Sequence, residues 1–540
     1  FIFQGNMDDD GIYLLVGNGN SSNIPLIVKP DMVSGSAATT GSFGRVEAGT
    51  VKSTGGTFIG AGRKFKVDSN SIISLGGNND SGYDTTIFGK NAGSQIGADG
   101  YYNSFFGTAA AQDTTTGDRN TAIGSYALYR NITGGQNTAI GADSMGNNSG
   151  GTDAGSNTAV GAYSLYDITG GDRNTAVGVA AGANVTTGND NVLIGYYAGD
   201  ALTVNYENVA IGRSALLSAD NGENYNISIG SYSMSTVNND SADHNVAIGY
   251  YALNATTTAG TIAIGREALR ASTSGFGNIA IGLNAMKVHT TGGYNIAIGY
   301  AAMDDTDAGS TSLGSTENIF IGYDAGGGTW ADAASTNNIA IGNYTMDGSM
   351  NGALRNIALG WAALTSLTQG DDVVAIGHSA GASITTGHTS VLIGSNTGDA
   401  LTTGYANTAV GYNALTTEDA GLGSVAVGYQ ALSNQNVDGD SGNVAVGSNA
   451  GYGLTTAQHN TYLGFRAGAT NTTGGTNIAI GSQAMHDTDA GSTSLGSTDN
   501  IFIGRNSGGG TWADAASNQN CAIGHFSMDA ALNGALNNTA

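Results

Sequence analysis

From residue 85 onward the alternation of polar, small and aliphatic residues follows one short pattern. It reads Asn-Thr-Ala-Ile-Gly, then two variable residues, then a small residue followed by Leu, Met or Gly; Asn120–Gly124, Asn137–Gly141 and Asn174–Gly178 are clear copies. Twenty-five copies occur between Gly89 and Gly524, most often 17 residues apart, with spacings from 16 to 23. Between them lie Thr-Gly, Gly-Gly and Asn-Asn steps that read as turns. The apolar runs are short and often β-branched, and no stretch sustains a helical period. A fixed period of this size predicts a solenoid in which each repeat forms one coil. The fold class expected is all-β: a parallel β-solenoid, or β-roll, of about 25 coils over 85–540, with a small N-terminal β region.

The columns of the repeat carry a physical reading. The Gly of every copy, including Gly124, Gly141, Gly178, Gly282 and Gly299, needs positive φ or close backbone approach. The residue before it is apolar in all 25 copies, Ile123 and Ile281 among them, and is expected to be buried and stacked on its neighbours. The residue two before is Ala in 17 of 25 copies, and the residue three after is always Ala, Ser or Thr, which marks close backbone approach. The residue four before is Asn in 20 of 25, as at Asn120 and Asn137. Stacked amides at one corner predict a ladder from coil to coil. The Leu, Met or Gly column reads as a filler; where it is Gly, as at Gly182 and Gly381, an aliphatic residue (Val185, Ile384) follows soon after.

A longer duplication overlies the coils: residues 296–346 recur at 478–528, an offset of 182. The extra residues are expected to bulge outward as loops. Residues 1–84 lack the motif and read as short strands between Gly, Asn and Asp turns, a β-rich connector or shaft separate from the roll.

Composition narrows the class. Gly is 88 of 540 residues and Pro only 2, with 11% charged residues, which suits a backbone hydrogen-bonded to itself rather than a disordered linker. The formal net charge of −25 argues against nucleic acid as a partner, since phosphates call for clustered Lys and Arg. The single Cys521 allows no intrachain disulfide. No apolar run approaches transmembrane length, so membrane insertion is not expected. The chain opens at Phe1 and closes on Asn538-Thr539-Ala540, the start of another repeat, and is read as part of a longer polypeptide.

The Asn-Thr-Ala-Ile-Gly-x-x-Ala pattern resembles the head repeats of YadA-type trimeric adhesins, over about 85–540. The resemblance implies a left-handed parallel β-roll with three chains side by side, hence a homotrimer; the adhesin repeat is shorter than this one. Residues 33–48, Val-Ser-Gly-Ser-Ala-Ala-Thr-Thr-Gly-Ser-Phe-Gly-Arg-Val-Glu-Ala, resemble a segment found in structural fibres of tailed phages. Together these imply a phage fibre more than a bacterial adhesin.

Candidate sites are few. Gly377-His378-Ser379-Ala380-Gly381 has the Gly-x-Ser-x-Gly form of a hydrolase elbow, but Gly377, Ala380 and Gly381 are ordinary repeat columns and no helix follows. Asp305-Thr306-Asp307, repeated as Asp487-Thr488-Asp489, hints at a calcium loop yet lacks the third acidic ligand and the closing Glu. An outward polar loop is the preferred reading. Trp330 and Trp512 sit in duplicated Gly-Gly-Gly-Thr-Trp-Ala-Asp loops. A sugar-stacking role is one reading, and packing against the protein is the favoured one.

The expectation is therefore a non-enzymatic structural fibre segment on a virion, extracellular. It spaces and presents a host-receptor-binding tip, and its partners are its own copies, other fibre or baseplate proteins and a host surface glycan or protein. No cofactor is expected. The alternative is a bacterial cell-surface trimeric adhesin that binds matrix or glycan directly. A polysaccharide-degrading spike would need paired carboxylates facing a groove, and an ice-binding solenoid a constant Thr column; neither pattern stands out.

Overall fold

The computed structural model describes residues 85–540, apart from 98, 148–153, 220–221, 238, 240, 256–257, 307–313, 332, 488–495 and 513–514. The N-terminal region 1–84, where short strands are expected, lies outside the described residues. Among those described there is no helix, and none long and apolar enough to cross a membrane.

Twenty-five three-residue strands, from Thr86–Phe88 to Cys521–Ile523, form one parallel sheet in sequence order and bound 24 turns of a solenoid. Register is kept at every step: Ile279, Ala280 and Ile281 pair with Ile296, Ala297 and Ile298. At a strand spacing of about 4.8 Å the stack is about 115 Å long. A two-stranded parallel patch, Gly421–Leu422 with Gly439–Asp440, adds a second pairing on neighbouring coils.

A strand of three residues buries only its middle side chain. That residue is the Ala column: Ala122, Ala280 and Ala297 are fully buried, flanked by outward neighbours on either side. The rest of the coil interior is filled from the turns. Ala127 and Leu128 illustrate the third and fourth residues after the Gly, and Ile168 and Leu202 the seventh. The filler column adapts to the strand. Where Leu193 replaces Ala, Gly182 and Gly199 flank it, and a Cβ on either would lie 2.5 or 2.6 Å from its methyls. Val185 packs beside Gly182, as the sequence implies. Phe320 and Tyr462 are accommodated likewise, by Gly326 and Gly468.

The corners are left-handed. In one coil Arg119, Tyr126 and Leu128 have φ of 56°, 57° and 55°. Such residues cost about 1–2 kcal/mol each. The cost is offset because each corner N–H reaches an adjacent coil: Arg119 donates to Tyr101, Tyr126 to Thr108 and Leu128 to Ser144, at 2.8–2.9 Å. At Gly282 both expected reasons for glycine hold. Its φ is 142°, and a Cβ would sit 2.1 Å from the carbonyl oxygen of Gly299 in the next coil.

The Asn column forms a ladder of a specific kind, interrupted at Thr261, Val373, Ser390 and Ser424. The Oδ1 of Asn120 accepts the backbone N–H of Asn137 at 2.9 Å, while its Nδ2 donates to the carbonyl of Gly134 at 2.9 Å. The side chain thus bonds mainly to the backbone of the next coil, with amide-to-amide contacts secondary. Both residues are fully buried.

Candidate functional site: the outer faces of the roll

The two outer columns of the sheet overturn one expectation. The residue before the motif Gly, expected in the core, points outward: Ile123 is 41% exposed, and Ile281 is partly exposed. The thin coil has room for one layer of small side chains under the strand, and Ala takes it. The bulkier aliphatic column and the Thr/Val/Ile column two residues earlier share the outer face. The result is a strip of Ile, Val, Leu and Thr running the length of the sheet. At about 10 Å wide and 115 Å long its area is on the order of 1,000 Å². Contiguous apolar patches on monomeric proteins usually span only about 300–600 Å².

Trp330 and Trp512 are not available to a ligand. They are 1% and 0% exposed, with their indoles 5.6 Å from Phe320 and Phe502. Trp330 Nε1 donates to the carbonyl of Gly326 at 3.1 Å. The glycan-stacking reading of these two residues is corrected, because each loop folds its indole over the enlarged strand residue below it. Asp305 and Asp487 accept hydrogen bonds from the hydroxyls of Thr329 and Thr511, at 2.7 and 2.6 Å. Asp307 and Asp489 lie outside the described residues. Among the described residues no group of three or more His, Cys, Asp or Glu side chains is placed to hold a metal ion. Ser379 sits in a turn at φ 52°, and no imidazole or carboxylate hydrogen-bonds to it among the described residues.

Two features escaped sequence reasoning. Glu418 and His289 are fully buried inside the roll. Glu418 accepts from the Gly421 N–H and from Gln435 Nε2, both at 2.7 Å, and His289 meets Thr306 Oγ1 and the Gly292 carbonyl, both at 2.7 Å. Each is seventh after its motif Gly, a column held by Ile168 and Leu202 elsewhere, so counting register would have found them. The second is a row of exposed aromatic residues, Tyr300, Tyr323, Tyr344, Trp361 and His378, at the corner after the motif Gly.

Two charge pairs bridge neighbouring coils on the surface. Arg173 grips Asp190, and Arg355 grips Asp372, each by two bonds between neighbouring coils; the guanidinium holds each carboxyl below its usual range. Asp304 and Asp347 go the other way, pushed up to about 6 by burial and by other nearby carboxylates.

No protein-family model matches the chain, and the search of curated proteins finds no relative.

Proposed function

We propose that this chain is a structural fibre segment, assembled as a homotrimer, that spaces and presents a host-receptor-binding tip on a phage virion. The observation that carries the reading is the outward aliphatic strip. Its area is comparable to the ~800 Å² per partner of a standard stable interface. A rod of this kind works through stiffness, reach and repeated presentation. Backbone hydrogen bonds along the stack supply the stiffness. The acidic balance, −25 per chain, opposes side-to-side aggregation of finished rods. Threefold assembly follows the likeness of the repeat to trimeric adhesin heads. The phage setting follows the likeness of residues 33–48, outside the described residues. The adhesin-like repeat also favours the second reading, a bacterial surface adhesin.

The test is native mass by light scattering, without heating. A mass near three times 53.9 kDa supports the trimer; a monomeric mass sinks it. A companion variant carrying Ile264→Asp, Ile281→Asp and Ile298→Asp on the strip should lower the mass toward one chain while keeping its β-type circular dichroism. Unchanged assembly in that variant would show that the strip is not the interface.

A further inference from the structure

The chain carries −25 overall, yet one stretch runs the other way. Between His244 and Asp304 the only Lys, Arg, Asp or Glu residues are Arg266, Glu267, Arg270 and Lys287, three cations against one carboxylate. Two neighbouring coils gather all four. Arg266 lies 3.1 Å from one oxygen of Glu267, and Arg270 and Lys287 lie 3.2 and 3.1 Å from the other. The Glu267 side chain is 8% exposed, whereas those of Arg266, Arg270 and Lys287 are 62%, 49% and 35% exposed. A nearly buried carboxylate thus ties three head groups together and leaves their remaining N–H donors to solvent. Each cation uses little of its capacity on Glu267, since a guanidinium carries five donors and an ammonium three. Lys287 and Arg270 hold the Glu267 carboxyl below its usual range, so this anchor stays ionised. Aromatic stacking fixes Arg270 a second time. Its guanidinium lies 5.4 Å from the ring centroid of Tyr251, and Tyr251 stacks on Tyr232 at 10°. Side chains held in place beforehand lose less entropy on binding. All of these residues lie on turns, off the aliphatic strip.

Charge narrows the occupant. Three cations around one carboxylate leave an excess of two positive charges. A phosphate monoester carries about −1.5 to −2 at neutral pH and offers three strong acceptor oxygens. Guanidinium forks match its oxygens in pairs. A carboxylate or a sulfate ester carries a single charge and balances half of the excess. A neutral sugar balances none of it. A nucleic acid needs a run of phosphates neutralised along its length, and this cluster is too small for that. Asp304 bounds the cluster on one side: Lys287 favours its ionised form, and its carboxyl, pushed up to about 6 by burial and nearby carboxylates, is charged above that pH. The open side is therefore that of Arg266 and Arg270.

We propose that Arg266 and Arg270, with Lys287 beside them and Glu267 as their anchor, bind a phosphate monoester dianion, carried on a sugar or free as inorganic phosphate. The site is built from one chain, so it stands independently of the fibre and trimer reading.

The experiment is phosphorus NMR of glucose 6-phosphate and, separately, of inorganic phosphate, each titrated with the full chain at about pH 7.5, where both are mainly dianionic. Line broadening gives the dissociation constant. Glucose 6-phosphate should bind; glucose 6-sulfate should displace it only at about tenfold higher concentration, and glucose should not displace it. Affinity for the sugar phosphate at least about threefold above that for inorganic phosphate identifies a phosphorylated sugar as the ligand, and equal or lower affinity identifies the free ion. Arg266→Gln and Arg270→Gln should each weaken binding about tenfold. Both variants should fold: Ser231 and Leu283 occupy the Arg266 column, and Ser235 and Asn254 the Arg270 column. Asp304→Asn should tighten binding about threefold. Asp438→Asn makes the same change of net charge roughly nine coils, or about 43 Å, away and should leave binding unchanged, being far beyond the screening length of about 8 Å. Absence of broadening overturns the proposal. Binding that both arginine variants leave unchanged overturns it, and so does equal tightening by Asp304→Asn and Asp438→Asn, as a response to net charge alone. Equal displacement by the sulfate ester overturns the preference for a dianion on which it stands. Circular dichroism of the same samples reports folding separately.

Discussion

Replacing Asn318 by alanine tests what the buried ladder is worth. The Asn318 Oδ1 accepts the backbone N–H of Asn338 at 3.0 Å, and its Nδ2 donates to the Ser335 carbonyl at 2.8 Å. The Asn318→Ala variant would leave that N–H and that carbonyl buried without these partners, at about 1–3 kcal/mol each, or roughly 4 kcal/mol together. In a quasi-one-dimensional stack this loss should show as local opening rather than as a shift of one global transition. Amide hydrogen exchange read by mass spectrometry is therefore the suitable assay. Protection over residues 336–340 should fall by about a thousandfold, the equivalent of roughly 4 kcal/mol. The wild-type chain carries its own control. Val373 occupies a ladder position and offers no side-chain acceptor to the following coil, so the coil after Val373 should exchange faster than the coil after Asn318. If Asn318→Ala leaves protection there within about threefold of wild type, the ladder is not a stability device and the reasoning fails.

Two further outcomes follow from the same geometry. Gly282→Ala should cost roughly 4 kcal/mol, from backbone strain and from separation of coils whose Gly299 carbonyl lies 2.1 Å from the new Cβ. Gly260→Ala, at φ 72° with nothing within 4 Å, should cost only about 1–2 kcal/mol; equal losses of exchange protection in the two variants would contradict the close-approach account. The coils around Asp304 and Asp347 should be more stable near pH 4.5 than near pH 7. Their folded pKa values, raised to about 6, favour the protonated form, so that stability is present below about 4 and lost as pH rises through about 6. The Asp190 and Asp372 pairs, with lowered values, lose their contribution only below about 4, outside this window. Exchange protection of residues 300–350 measured across the range checks the direction, and Asp347→Asn should flatten the slope.

The sequence by itself determined the solenoid, its period, its register and its stacked Asn corner. Those depend on local periodicity, on the backbone demands of Gly124 or Gly282, and on the two-sided hydrogen bonding of a primary amide. It also pointed to the pairing of a Gly filler with an aliphatic residue a few positions on, as at Gly182 and Val185, while the fit of Gly182 to Leu193 in the next strand was decided by the structure. The direction in which Ile123 and Ile281 face was decided only by the tertiary structure. Hydrophobicity alone ranks Ile above Ala for burial, but the space under a three-residue strand in a thin coil admits Ala and turns Ile outward. Trp330 and Trp512 were settled in the same way, by the room that Gly326 and Gly508 leave around Phe320 and Phe502. The aromatic row and the pairing of buried Glu418 with Gln435 are invisible to a reading of single motifs. Their residues lie a coil apart in sequence, and only the stacking of coils brings them within one side chain of each other.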